Sequence, residues 1–249
     1  MDRWKYFGIT HKHHLLCNPT SAAKLDEVID LIKLEPGARV LDIACGKAEM
    51  LARLAERYRI SGVGVDLSPY FISDARRKLQ ERAPQADIQL LDMDGAQYQP
   101  EAPGSFDLAM CVGASWVFQG HRGTLRALKG MARPGGLILV GEPFWIREPG
   151  DEYLAEPGTP KREEFANHHD NVVVGEEEGM APLYTSVSNQ DDWDRYTTLQ
   201  WYAADEFARA HPDDPDVPEI LAKQTHGREV YLKWERDTLG WAMYLFRKP

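Results

Sequence analysis

The chain has 249 residues, 43% of them hydrophobic and 27% charged, enough for one large domain with a sizeable core and too apolar for disorder. Its 39 acidic against 29 basic side chains leave a formal charge of −10, which suits neither DNA nor RNA, because a phosphate backbone needs clustered positive charge. No apolar run approaches the roughly 20 residues of a membrane span, and the amino terminus lacks a signal peptide's apolar core, so a cytoplasmic chain without a membrane or nucleic-acid partner is expected.

From about Leu25 to Glu142, short apolar runs alternate with segments of helical period, the pattern of βα units around a parallel sheet. Strands are expected over Arg39–Ile43, Gly62–Asp66, Asp87–Leu91, Phe106–Cys111 and Leu137–Gly141. Helices are expected between them. Glu49–Arg59 carries Met50, Leu51, Leu54 and Tyr58 on one face, and Ser68–Arg82 opens on a Ser-Pro pair suited to a helix start. Arg133-Pro-Gly-Gly136 reads as a turn into the fifth strand. Residues 143–181 hold Pro143, Pro149, Pro157 and Pro160 with acidic and aromatic side chains and little period, as in an irregular cover. Leu183–Asn189 reads as a strand and Asp191–Ala210 and Val217–Arg236 as helices, with Asp191 able to cap the first. Gly240–Arg247 closes the chain as a strand expected to run antiparallel beside the preceding one. The expectation is an α/β, Rossmann-like, doubly wound, seven-stranded sheet in a single domain. Its core is 20–142 with 183–190 and 238–249, and its cap insertions are 143–181 and 191–236.

The most informative stretch is Val40-Leu-Asp-Ile-Ala-Cys-Gly-Lys-Ala-Glu-Met50. A strand ends near Asp42, passes through the small residues Ala44, Cys45 and Gly46, and enters a helix whose first N–H groups face a ligand. Asp66, before Leu67 at the end of the next strand, can accept both hydroxyls of a ribose. Asp94 follows the third strand and can accept from an exocyclic amine, while Gly95 admits a flat ring. The fourth strand ends in Cys111 and Val112 and a run of small residues, at the edge where open α/β sheets bind ligands. Four such strand ends in succession are far more specific than any one of them.

These residues, with Phe106-Asp107 and Arg133-Pro-Gly-Gly136, resemble the class I S-adenosylmethionine-dependent methyltransferases over about 20–145. Further along, Cys111-Val-Gly-Ala-Ser-Trp116, Gly141-Glu-Pro-Phe-Trp145, Trp193-Asp-Arg-Tyr196, Gly240-Trp241 and, near the amino terminus, His14-(x3)-Asn18-Pro19 are similar to a narrower bacterial group, the YjhP-like methyltransferases. The resemblance implies a class I fold, S-adenosylmethionine as cofactor and a small-molecule acceptor. Two glycines of the family's turn are replaced by Ala44 and Ala48, which calls for negative φ at both. The Asn/Asp-Pro-Pro-aromatic element of base-methylating enzymes is missing after the fourth strand, which is followed by Val112-Gly-Ala-Ser-Trp116.

Methyl transfer is an in-line displacement that needs alignment and exclusion of water, and needs a base only where the acceptor holds a proton. Glu142, closing the fifth strand, and His14, on a segment that folds over the site in related enzymes, are the candidate catalytic residues. A salt bridge from Glu142 to Arg147, and a solvated His14, are the ordinary alternatives. Among seven tryptophans, Trp116, Trp145 and Trp193 are expected to line an acceptor pocket, with Arg195 recognising a polar group. The crowded histidines match no strong metal-ligand spacing, and no metal is expected. A nicotinamide-dependent oxidoreductase is the competing enzyme class, but the turn lacks GxGxxG spacing; a non-catalytic cofactor-binding protein is the third reading. The chain is expected to act as a monomer or homodimer.

Overall fold

The strands lie at Arg39–Ile43 (β1), Ser61–Asp66 (β2), Ile88–Asp92 (β3), Phe106–Val112 (β4), Ala132–Trp145 (β5), Ala181–Val187 (β6) and Leu239–Arg247 (β7), in a computed structural model that describes residues 1–249. The helices are Arg3–Thr10 (α1), Ala22–Ile32 (α2), Glu49–Tyr58 (α3), Pro69–Arg82 (α4), His121–Met131 (α5), Asp151–Leu154 (α6), His168–Glu177 (α7), Gln190–Ala210 (α8) and Val217–Val230 (α9). A π turn then leads to Arg236–Thr238 (α10). The sheet order is β3-β2-β1-β4-β5-β7-β6. β1 to β5 are parallel, and β7 runs antiparallel between β5 and β6. Strand order reverses between β1 and β4, so a crevice opens at their carboxyl ends.

Local chemistry explains most boundaries. Ser21 and Ser68 cap α2 and α4 by accepting from the N–H groups of Lys24 and Phe71. One face of the sheet packs Leu25, Val28 and Ile29 of α2, Leu51 and Leu54 of α3 and Ile72 of α4. The other packs Ile138, Val140 and Phe246 against Leu125 and Leu128 of α5.

Three expectations change. β5 is much longer than Leu137–Gly141, because β7 pairs with it as far as Trp145 opposite Leu239. β6 ends at Val187, because Asn189 leaves the sheet to cap α8, in a box with Asp192 rather than Asp191. Residues 143–181 are not an irregular cover throughout. α7 lies on the sheet, with Asn171 1% exposed and donating to the Pro143 carbonyl and the Tyr244 hydroxyl. Its fully buried residues are Asn171 and Gly175, and Val172 and Val174 are only partly buried against the same core, so its apolar residues do not mark the buried face.

Candidate active site

Asp42 ends β1 and is followed by a turn in which Ala44, Gly46 and Ala48 are all left-handed, with φ of 57°, 54° and 54°. The expected negative φ at both alanines is therefore wrong. Alternating left-handed residues wind the backbone into a concavity that gathers N–H groups, as an anion-binding nest does, and the turn keeps that shape at the cost of two strained alanines. Asp66 holds it from β2. One carboxylate oxygen accepts from the Gly46 N–H at 2.8 Å and the other from the Ser68 N–H at 2.8 Å. Burial raises the Asp66 carboxyl above its usual range, and those N–H groups oppose the rise.

Along the same edge, Asp94 spends one oxygen on the Ala96 N–H at 2.9 Å and keeps the other. Gly95 also answers to packing, since a Cβ there would lie 2.6 Å from Ile43 Cγ2. Leu67 and Trp116 stand 46% and 64% exposed beyond β2 and β4, an apolar pair at the sheet edge. Cys111 is fully buried in the opposite core layer, so only its backbone faces the crevice. Val112 and Cys45 line a cavity of about 50 Å³ against the turn, with Asp42, Ala44 and Gly46.

The roof of that cavity is the amino-terminal segment 11–20, here called the strap. Lys47, 8% exposed, donates to the carbonyls of His11 at 2.6 Å and Lys12 at 3.3 Å. The His11 Nε2 lies 3.0 Å from the Tyr196 hydroxyl of α8. Asn18 Nδ2 reaches the Val112 carbonyl at 3.4 Å, and the Trp241 indole N–H donates to Thr20. His14 Nε2 is 2.7 Å from the Tyr196 carbonyl. A carbonyl can only accept, so Nε2 carries the proton and Nδ1 the lone pair. That Nδ1 is buried and meets no partner. Burial lowers His14 to about 4 and His11 to about 3, so both are neutral at pH 7.

Beyond the strap lies a second cavity of about 180 Å³, lined by His14, Asn18, Ser21, Asp192, Arg195 and Tyr196. It shares Leu15, Leu16 and Asn18 with the first. A larger hollow of about 550 Å³ between α1, α4 and α8 contains none of the predicted residues. Lys5 and Lys12 there are engaged by Asp214, Asp216 and Glu206.

Other predicted residues sit elsewhere. Glu142 is 1% exposed, one carboxyl oxygen has no partner, and it lines none of these cavities. Burial raises its carboxyl to about 8, against a hydrogen bond from Ser115, which favours the protonated acid at neutral pH. Its expected partner Arg147 lies instead 3.9 Å from Asp237. Trp145 is packed against Tyr153 and Phe165, its N–H donated to the Arg162 carbonyl, which makes it core and not pocket wall. Trp193 lies in the same aromatic layer, 6.2 Å from Tyr196, with its buried N–H unpartnered. Lys47 and Tyr196, which hold the roof down, were missed as functional residues. A lysine in a helix-entry turn is ordinary, and only folding shows that it turns inward.

The groups at the turn fit a cationic, adenosine-bearing cofactor. Asp42 is 4% exposed beside Asp66, its carboxyl raised by burial and by that neighbour and met by no donor. A positive charge entering the cavity relieves both costs. Asp66 and Asp94 keep lone pairs free for hydroxyl and amine donors.

Comparison with known proteins agrees. Residues 40–136 match the model of a methyltransferase domain. The chain is 30% identical to a S-adenosylmethionine-dependent methyltransferase of Geobacter sulfurreducens solved with S-adenosyl-L-homocysteine, over 98% of each chain at a TM-score of 0.92. A Thiobacillus denitrificans counterpart, solved with the same molecule, is 31% identical over 100% of both at 0.91. The uncharacterised protein YjhP of Escherichia coli K12 is 29% identical over 98% of each. A turn after the first strand whose buried acids fit a cationic cofactor, on a sheet shared end to end with these relatives, places this chain in the family of class I S-adenosylmethionine-dependent methyltransferases.

Proposed function

We propose that the methyl acceptor is a small molecule held beneath the strap. The observation that carries this reading is the closed roof. Lys47, His11, His14 and Asn18 tie the strap to the turn, to α8 and to β4, over cavities of about 50 and 180 Å³, and an open groove for a polymer would need none of these ties. The negative formal charge, −10, supports the same choice. S-adenosylmethionine, when bound, supplies an electrophilic methyl on a sulfonium. Asp66, Leu67, Asp94 and Gly95 hold the adenosine half. Asp42, Ala44, Cys45 and Gly46, with the edge formed by Cys111 and Val112, hold the amino-acid half. The strap excludes water and presents the acceptor, and rate follows from alignment more than from any single group. No helix is long and apolar enough to cross a membrane, and the reading is of a cytoplasmic enzyme acting as a monomer or homodimer.

The test is incubation with methyl-labelled S-adenosylmethionine and a dialysed cell extract, with and without its dialysable fraction. Label is expected in dialysable products; label confined to protein or nucleic acid overturns the reading. In calorimetry, Asp66→Asn is expected to weaken S-adenosylhomocysteine on the order of tenfold to a hundredfold, the size of one lost charge-assisted hydrogen bond. Unchanged affinity removes Asp66 from the cofactor site.

A further inference from the structure

The cavity between the strap and α8 has a chemistry of its own. Two of its groups are uncommitted. Arg195 is exposed and forms no ion pair, yet it is close enough for its charge to oppose protonation of His14. His14 is 6% exposed, with its Nδ1 lone pair buried and unpartnered. Ser21 and Ala22 in the wall are the cap and first residue of α2, so the positive end of an 11-residue helix faces the space. The one carboxylate in the wall, Asp192, is already neutralised by Lys24 and accepts the Asn189 N–H. Leu15, Leu16 and Pro19 supply apolar surface. The volume, about 180 Å³, is far above the roughly 15 Å³ that one water needs.

We propose that this cavity is the acceptor site, that it takes a small carboxylate bearing a hydroxyl group, and that His14 Nδ1 receives the hydroxyl proton. The proposal rests on the methyl-transfer reading above and adds the acceptor's chemistry to it. Arg195 and the α2 terminus take the carboxylate, and the lone pair of Nδ1 orients the hydroxyl. In the transfer, a new bond forms between the acceptor oxygen and the methyl carbon. The bond from carbon to the sulfonium sulfur breaks, leaving its electron pair on sulfur. The hydroxyl proton passes to Nδ1, and the resulting imidazolium is held through Nε2–H by the Tyr196 carbonyl and faces the acceptor's negative charge. The two cavities share Leu15, Leu16 and Asn18 in their linings, so the acceptor's space adjoins the cavity at the turn, and the transfer brings the acceptor oxygen past these side chains to the methyl carbon.

The experiment titrates the full chain, saturated with S-adenosylhomocysteine, with 4-hydroxybenzoate and with its neutral amide, 4-hydroxybenzamide. The acid is expected to bind at least about tenfold more tightly, and Arg195→Gln to erase the difference while S-adenosylhomocysteine affinity stays within about twofold. With labelled cofactor, 4-hydroxybenzoate is expected to be methylated. His14→Gln, whose amide can still donate to the Tyr196 carbonyl, is expected to lower kcat about a hundredfold with the dissociation constant of the acid unchanged. Equal binding of acid and amide, binding of neither, or a preference that survives Arg195→Gln overturns the site. Tight acid binding without methylation, or with His14→Gln fully active, overturns the role of His14. Loss of S-adenosylhomocysteine binding by the unmutated chain would instead overturn the methyl-transfer reading, and so the two failures separate.

Discussion

At the scale of single residues, the turn after β1 shows how a ligand-binding shape is kept without the residue that makes it easy. Ala44 and Ala48 both sit near φ of 55°, at 57° and 54°, where an alanine costs roughly 1–2 kcal/mol more than glycine and glycine costs roughly 0.5–1 kcal/mol in chain entropy. Ala44→Gly is therefore expected to raise stability by about 0.5–1 kcal/mol in urea unfolding. Ala48 is fully buried, and losing its methyl costs about 0.8 kcal/mol of burial, so Ala48→Gly is expected to be near neutral. A loss in both variants would show that the turn is not left-handed. The positions of Asp66 and Asp94 at the ends of strands were legible because place along a strand is a sequence property. The upward shift of the Glu142 carboxyl was not, because burial is decided by other elements.

Among the elements, α7 separates what a pattern can reveal from what it cannot. Gly175 faces Phe246 of β7, where a Cβ would sit 2.2 Å from Cε1. Gly175→Ala should gain up to about 1 kcal/mol of helix propensity and lose more to overpacking, for a net loss of roughly 1–2 kcal/mol. Gly227 in α9 has open space around its missing Cβ, so Gly227→Ala keeps the propensity gain alone. Opposite signs in the two urea midpoints check the placement of α7, and equal gains would take it off the sheet. α3 and α4 were legible from apolar spacing and a Ser-Pro start, whereas α7 buries a polar and a small residue most deeply and leaves its valines half-buried, so its spacing gave no clear period.

For the whole molecule, buried titratable groups set opposing pH slopes. Burial lowers His11 to about 3 and His14 and His121 to about 4. Below about 6.5, their usual value, the unfolded chain binds protons that the folded chain refuses, so stability falls as pH drops from about 6.5 towards 4. Glu142 is shifted the other way, up to about 8. Between about 4.5 and 8 the folded chain holds a proton that the unfolded chain has released, so this group's contribution declines as pH rises through that window. Each effect is on the order of a few kcal/mol. Glu142→Gln, close in shape to the protonated acid, is expected to flatten the alkaline slope and to unfold at higher temperature than the unmutated chain above pH 8. Thermal melts from pH 4 to 9, spanning those windows, check it; an unchanged alkaline limb would mean that Glu142 is ionised and partnered.

Sequence alone determined the alternation of strand and helix, the placing of acids at the strand ends and the net charge of −10. Each depends on spacing or composition, which a chain carries whether or not it is folded. Only the tertiary structure decided that Lys47 turns inward to hold the strap, that His14 keeps a buried and unpartnered lone pair, and that Trp145 belongs to the core. Those outcomes depend on which elements, distant along the chain, come to cover one another, and so on burial and on hydrogen-bond partners that no local pattern encodes. Length and composition allowed one domain with insertions; folding showed that one stretch read as cover lies on the sheet, and that the amino-terminal strap, not the insertions alone, roofs the site.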